Sequence, residues 1–346
     1  MSTVHAYGFV SSTSPCRPLE IERRAPGPYD VLFNIAYCGI CHSDIHTARS
    51  EWGPARYPLV VGHEITGIVR EIGSKVTKVK VGDRVGVGCM VDSCGQCDYC
   101  RQGMEQFCSK GVWTYGSMGY DGKVTQGGYS QAITVQEHFV FQIPEAISLE
   151  DAAPLLCAGI TTYSPLKRWV SPGMKVAVVG LGGLGHIGVQ IAAAMGAEVS
   201  VISHTRSKEA DGIAFGAQHY YATTEEGTFS KLAGQFDVIL TTVSSTDDYT
   251  DYINSLNKTG VIVNVGMPAA PLEIYMRALT PRRTLQGSLI GGAAETQDML
   301  QFCAEHGVRP RIEMISADQI TAAYDSVIGS KVRYRYVIDA QTIHDR

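Results

Sequence analysis

The sequence lacks the segments that would tie the chain to a surface or to a polyanion. It carries no run of like charges, and its net charge is −5, so neither a nucleic acid nor an anionic membrane would find a basic patch to hold. No stretch approaches the ~20 apolar residues of a membrane span. The opening residues, MSTVHAYGFVSSTSPCRPLE, lack the charged start and apolar centre of a secretory leader. These gaps predict a cytoplasmic protein whose partners include no nucleic acid and no membrane.

What the chain does have is cysteine, ten residues in all. In a reducing compartment clustered thiols hold a metal more often than they form disulfides. The stretch VDSCGQCDYCRQGMEQFC places Cys94, Cys97, Cys100 and Cys108 at C-x2-C-x2-C-x7-C. Four thiolates complete a tetrahedral Zn(II) shell and leave no position for a substrate, which makes this a structural site or equally an interaction knuckle, although no dense Lys/Arg surrounds it for nucleic acid. Any reaction must then lie elsewhere. With 346 residues, 45% of them hydrophobic, there is room for about two domains.

Texture divides the chain. Up to residue 145 it reads as short strands punctuated by Gly and Pro: DVLFNIAYC, LVVGHEITGIVREIG, DRVGVGC and GGYSQAITVQEHFVFQIP. Ser148 with Asp151 three positions on marks a helix start. From residue 175 apolar strands (KVAVVG, EVSVIS, FDVILTTV, VIVNVG, RTLQGSLI) alternate with helical segments, the pattern of a doubly wound parallel sheet in an α/β protein. The tail, AETQDMLQFCAEHG, RIEMI, DQITAAYDSVIG and VRYRYVID, falls outside that five-strand count and is assigned to the first domain. The expected domains are 1–152 with 292–346, and 153–291. Directly after KVAVV, Gly180, Leu181, Gly182, Gly183, Leu184 and Gly185 form G-x-G-x-x-G between strand and helix, the context required of a dinucleotide site.

Two further stretches bear chemistry: Cys38-Gly-Ile-Cys41-His42-Ser43-Asp44-Ile45-His46, and Gly62-His63-Glu64. Together with the four-cysteine loop, L-C-A-G-I-T around Cys157, and G-L-G-G-L-G, they occur in the order found in zinc-dependent medium-chain alcohol dehydrogenases. The resemblance spans nearly the whole chain. The segments G-I-C-H-S-D, SEWGPARYPLVVGHEITG and G-S-L-I-G-G-x-x-E-T-Q are most similar to the cinnamyl alcohol dehydrogenase branch and its bacterial broad-range aldehyde reductase relatives. That resemblance implies a GroES-like β-rich catalytic domain beside a Rossmann domain. It also implies two zinc ions per chain. Cys41, His63 and Cys157 match the ligands of a catalytic zinc, Glu64 a carboxylate able to enter its shell, and Asp44 the acid that orients His63. Ser43 and His46 match a proton relay, His42 a contact to the cofactor phosphates, and Thr161 a contact to the nicotinamide. A surface histidine is the alternative for His46. Trp52, Met90 and Trp113 are expected in the substrate pocket or, equally, in the core. Cys16, Cys38, Cys89 and Cys303 match no family role and are expected to pack.

The cofactor expectation rests on the end of the second strand of the doubly wound half. An NAD site normally has an acid there, ~20 residues past the glycines. Here the sequence reads Ser203-His204-Thr205-Arg206-Ser207-Lys208, with no acid before Glu209. Ser203 and Thr205 can donate to a 2′-phosphate while Arg206 and Lys208 add charge, in a pattern similar to S-x-S-x-x-K of the cinnamyl branch without repeating it. Arg206 and Lys208 facing solvent is the alternative. NADP(H) is therefore the expected cofactor, an alcohol or aldehyde the small-molecule partner, and a homodimer the assembly implied by the resemblance, possible in higher forms, with Thr284 to Ile290 at its interface. Competing readings are a polyol, threonine or formaldehyde dehydrogenase, and a zinc-stabilised dinucleotide-binding sensor without alcohol chemistry.

Overall fold

A hairpin absent from the expected strands opens the chain: β1 (Ser2–Gly8) pairs antiparallel with β2 (Arg17–Arg23). The computed structural model describes residues 2–247, 249–268 and 270–344. The apolar run DVLFNIAYC becomes β3 (Asp30–Gly39), buried along most of its length, followed by the short helix α1 (His42–Ala48). In LVVGHEITGIVREIG only β4 (Ile65–Ile72) is strand. The residues before it bond elsewhere: Gly127 donates to the Val60 carbonyl, and Gly62 donates to the Asp44 carboxylate. Next come β5 (Arg84–Val87), β6 (Met90–Asp92), α2 (Asp98–Arg101), β7 (Val112–Trp113), β8 (Ala132–Gln136) and β9 (Phe141–Gln142). Helix α3 (Leu149–Pro154) starts as the sequence predicts, with the Ser148 hydroxyl accepting from the Asp151 amide at 3.2 Å. It runs into a wider, π-type turn over Leu155–Gly159 and then into α4 (Ile160–Trp169).

The doubly wound half contains six strands, one more than the periodicity predicts. They are β10 (Lys175–Val179), β11 (Glu198–Ser203), β12 (His219–Ala222), β13 (Phe236–Thr241), β14 (Leu256–Asn264) and β15 (Thr284–Gly287), all parallel. The overlooked strand, HYYA, is four residues long, too short to show a period. Between these strands lie α5 (Gly185–Ala194), α6 (Glu209–Ala214), α7 (Thr228–Leu232) and α8 (Tyr249–Ser255). Their order across the sheet, β12-β11-β10-β13-β14-β15, reverses direction between β10 and β13. That is the order 3-2-1-4-5-6 of a dinucleotide-binding sheet, whose ligands sit outside the carboxyl ends of the strands at the reversal. Val176, Val178, Val199, Val201, Ile239 and Leu240 are fully buried, as expected of a parallel sheet covered on both faces.

The tail adds α9 (Ala293–His306), β16 (Ile312–Ile315), α10 (Ile320–Ile328) and β17 (Arg335–Asp339). Strand β17 pairs with β3 and joins a seven-stranded sheet in the order β16-β17-β3-β4-β5-β9, with β8 beside β3. The chain divides into one unit of residues 1–157, 291–305 and 309–346, and a second of 158–290 with 306–308. Cys157 thus falls in the first unit, beyond the break expected at 152, because α3 packs on β3, β4 and β17 and carries the following turn with it.

Candidate active site

Three distant segments meet inside the first unit. Cys41 caps α1, His63 precedes β4, and Cys157 lies in the turn after α3. Their ligand atoms, with one from Glu64, all lie within 4.8 Å of one another. The Cys41 and Cys157 sulfurs are 3.9 Å apart, and His63 Nε2 is 3.2 Å from Cys157 Sγ. Around a tetrahedral zinc two thiolates stand about 3.8 Å apart and a thiolate and an imidazole about 3.5 Å, so the donor set fits the ion. All three residues are buried. Hydrogen bonding to Cys157 holds the Cys41 thiol well below its usual pKa, while the same contact and burial push Cys157 up. Burial opposes a charged His63, but Asp44 together with the Cys89 and Cys41 thiols outweighs it and raises that pKa well above the ordinary value. In chemical terms a positive charge belongs at this point.

Asp44 builds the pocket from beneath. As the third residue of α1, its carboxylate accepts from the Cys41 amide at 2.8 Å, which caps the helix. The same carboxylate accepts from the Gly62 amide at 3.1 Å, His63 Nδ1 at 2.9 Å and the Tyr129 hydroxyl at 3.3 Å. With Nδ1 committed to Asp44, Nε2 is the nitrogen that faces the sulfurs. One side chain therefore fixes two ligands.

Glu64 is fully buried and paired with Arg335, the first residue of β17. Among the described residues its second oxygen, Oε2, has no hydrogen-bond partner. Gly39 makes room for it, since a Cβ there would stand 2.0 Å from Oε2. Burial raises the Glu64 pKa and Arg335 pulls against that rise. Beside the ligands, half-buried Cys89 has its pKa lowered, chiefly by the neighbouring Cys157 thiol.

Ser43 Oγ lies 3.6 Å from Cys41 Sγ. One turn further along α1, His46 places Nδ1 2.5 Å from the Glu51 carboxylate and stacks on Trp52 at 4.8 Å between ring centres. His42 is exposed on the same helix. Trp52 is half-exposed, Met90 is buried, and Trp113 lies directly opposite Met90 across the β6–β7 ribbon. Trp52 thus meets His46, while Met90 and Trp113 pair across two other strands.

The four-cysteine loop is built locally. Cys94 and Cys100 sulfurs are 3.9 Å apart and those of Cys97 and Cys100 3.5 Å, and the ligand atoms of Cys94, Cys97, Cys100 and Cys108 lie within 4.8 Å of one another. Backbone amides of Gln96 and Cys97 bring the Cys94 thiol down to about 6, which suits a thiolate ligand. Burial raises Cys100 to about 11, a cost that a cation removes.

In the second unit the glycines divide their tasks. Gly180 adopts φ +88, a left-handed turn straight out of β10. A Cβ on Gly185 would stand 1.9 Å from the Gly180 carbonyl, so its absence lets α5 close on the strand, whereas a Cβ on Gly182 would meet nothing within 4 Å. That open surface beside Gly183 and Leu184, at the start of α5, fits a pyrophosphate. Thr161 is buried on α4. Ser203 ends β11, and the Thr205 side chain accepts from the Ser207 amide at 3.4 Å. Lys208 Nζ donates to the Leu181 carbonyl of the glycine turn at 2.9 Å, while Arg206 is held by Glu225 and Glu209. Arg335 and Glu225 are the partners that no motif announces, 271 and 19 positions from Glu64 and Arg206, while Glu51 is local to His46, five positions on.

Residues 27–145 match the family model of the alcohol dehydrogenase GroES-like domain, and residues 183–305 that of zinc-binding dehydrogenases. NADP-dependent alcohol dehydrogenase C 1 of Mycolicibacterium smegmatis is 55% identical over 99% of both chains. Among solved structures, a cinnamyl alcohol dehydrogenase of Sorghum bicolor matches with a TM-score of 0.96 at 38% identity, covering 100% of both chains. The CAD of Helicobacter pylori, complexed with NADP(H), matches at 0.93 and 41%, covering 99% of both. With its zinc-ligand geometry and its 3-2-1-4-5-6 sheet, the chain belongs to the zinc-binding medium-chain alcohol dehydrogenases, in their cinnamyl alcohol dehydrogenase-like branch.

Proposed function

We propose that the chain is an NADP(H)-dependent alcohol dehydrogenase and aldehyde reductase with a broad range of primary alcohols and aldehydes, aromatic cinnamyl-type substrates included. The observation that carries this reading is the convergence of Cys41 Sγ, His63 Nε2 and Cys157 Sγ at 3.2 to 3.9 Å beside the Ser43 hydroxyl. When bound, zinc supplies Lewis acidity at the reacting oxygen and the nicotinamide gives or takes the hydride. The chain's own residues handle position and protons. Asp44 keeps His63 Nε2 facing the site. Ser43 holds an exchangeable proton near the ligands, and His46, with Nδ1 on Glu51, keeps Nε2 for passing a proton outward. Arg335 keeps Glu64 paired at the edge of the site. Gly180, Gly182, Gly183, Leu184 and Gly185 cradle the pyrophosphate, His42 and Thr161 contact the cofactor, and Ser203, Thr205, Arg206 and Lys208 take the 2′-phosphate. Trp52, Met90 and Trp113 wall the substrate site. The Cys94, Cys97, Cys100 and Cys108 loop holds a second, structural zinc.

The test compares kcat/KM for NADPH and NADH with one aromatic aldehyde, in the native enzyme and in Ser203→Asp. NADPH is expected to be preferred, and the variant to lose NADPH use. A native preference for NADH would overturn the cofactor reading, and two zinc ions per chain by elemental analysis are required by the metal reading.

The proposed assembly is a homodimer through β15. That strand pairs with β14, and a second copy would cover its other edge. A single monomeric species in sedimentation at micromolar concentration would refute it. No helix among the described residues is long and apolar enough to cross a membrane. Residence in the cytoplasm is proposed from the thiols, nine of which stand in or beside ligand clusters or in the core.

A further inference from the structure

The sequence between β11 and α6 offers Arg206 to a 2′-phosphate, but the structure gives its guanidinium to the chain itself. Arg206 Nε and Nη2 both donate to the Glu225 carboxylate, the second at 3.0 Å, and Nη1 donates to Glu209 at 2.6 Å. All three guanidinium nitrogens are engaged. Glu225 is brought there by backbone pairing that continues past the sheet: the Thr223 amide donates to the Ser203 carbonyl at 2.8 Å, and the Thr224 amide and hydroxyl donate to the His204 carbonyl at 3.3 and 2.9 Å. The placement is therefore built by the β11–β12 register rather than by a drifting side chain. In charge, Arg206 and Lys208 are cancelled by Glu209 and Glu225.

We propose that Glu225 is a specificity-determining residue of the cofactor site, setting the preference between NADP(H) and NAD(H) by competing with the 2′-phosphate for Arg206. The inference rests on the proposed reading of residues 203–208 as the phosphate-binding segment. A phosphate monoester carries about two negative charges near neutral pH, so its approach is resisted by the Glu225 carboxylate until Arg206 changes partner. The Arg206 and Glu225 side chains are 45% and 43% exposed, which leaves the pair free to open without disturbing the core. A 5′-phosphate bound at the glycine turn meets none of this competition. Glu225 thus lowers a preference that the missing acid at Ser203 would otherwise make larger.

The experiment measures competitive inhibition of the zinc-loaded enzyme by adenosine 2′,5′-bisphosphate and by 5′-AMP. Removing one carboxylate charge close to the phosphate in a half-exposed site should tighten the bisphosphate in Glu225→Gln by roughly three- to fivefold and leave 5′-AMP essentially unchanged. The gain should vanish when Arg206→Ala is added, and Glu225→Asp, which keeps the charge, should stay closer to native. An unchanged ratio of the two inhibitors in Glu225→Gln, or a gain that persists without Arg206, would overturn the inference. Ser203→Asp separates it from its premise: if that variant weakens the bisphosphate while Glu225→Gln does nothing, only the role of Glu225 falls. If Ser203→Asp leaves bisphosphate binding unchanged, the phosphate-binding reading falls and takes the inference with it.

Discussion

The two metal clusters of the first unit use the same element of chemistry, the cysteine thiolate, in opposite ways. The loop of Cys94, Cys97, Cys100 and Cys108 gathers four thiols from fifteen consecutive positions, from 94 to 108, and each remains partly exposed. The other cluster draws Cys41, His63 and Cys157 from positions up to 116 apart and buries all three. A local loop can be folded by its ion, because the ion supplies the binding energy that closes it. A nonlocal cluster must be assembled by the fold first. Four thiolates also close the coordination shell, whereas three protein donors leave a position for an oxygen. The difference separates the scaffold from the reaction.

The sharpest way to break that comparison is to remove one thiol from each. Cys157→Ala should cut kcat by about a thousandfold or more, since losing Lewis-acid stabilisation forfeits several kcal/mol of the barrier. Its melting temperature should change far less. Cys97→Ala should do the reverse, lowering Tm and soluble yield while the folded fraction keeps turning over. Zinc content should fall from two ions to one in both. Near-native turnover in Cys157→Ala would show that the clusters have been assigned the wrong way round.

A smaller effect should come from the carboxylate beneath the nonlocal cluster. Asp44→Asn keeps the size of the side chain and its carbonyl acceptor but removes the charge that holds His63. Changes of this kind behind a metal ligand cost about 10- to 100-fold in affinity. A chelator competition should show that loss at the Cys41–His63–Cys157 site, with the four-thiolate site unaffected. Equal weakening of both ions would mean that Asp44 supports the unit as a whole.

Sequence made the local cluster legible and the nonlocal one only by resemblance, for a physical reason. A C-x2-C step constrains two sulfurs to one neighbourhood whatever the surrounding fold does. Nothing in the spacing of Cys41 and Cys157 does so, and their convergence waits on α3 packing against β3 and β4. The glycine turn and the parallel strands were readable because their periodicity and steric demands are local. Arg335, which lies 271 positions from its partner Glu64, was not. Arg23 is a similar case: buried, it donates to the carbonyls of Gln126, Gly127 and Ala132 and to the Ser130 hydroxyl, and so fixes the loop that carries Tyr129 against Asp44. β12 escaped because four residues show no period. The domain break shifted because the turn bearing Cys157 is bound to the helix before it.

The smallest predicted effect sharpens the comparison from the other side, for the four-cysteine loop has its own buried carboxylate. Glu105, 3% exposed, accepts from His138 Nε2 at 2.6 Å and from the Ala293 amide at 3.0 Å, at the first turn of α9. Its carbonyl accepts from the Cys108 amide at 2.9 Å, while its carboxylate ties the loop to the helix of the tail, with its charge at the positive end of that helix. Burial works to raise its pKa, but His138 and the amides outweigh burial and leave it below the usual value of 4.5. A carboxylate depressed in the folded state contributes stability above its unfolded pKa, and that contribution is lost as pH falls through the folded pKa. Glu105→Gln should therefore cost about 1 to 2 kcal/mol at neutral pH, the price of a charge-assisted bond in a buried place. Below about pH 4 the gap between native and variant should narrow as the native carboxyl takes up its proton. Thermal unfolding of both proteins from pH 3 to 7 would read the gap directly. A gap that stays constant across that range would mean that Glu105 braces the loop by shape alone, and the carboxylates under the two clusters would then differ in their physics as well as in their partners.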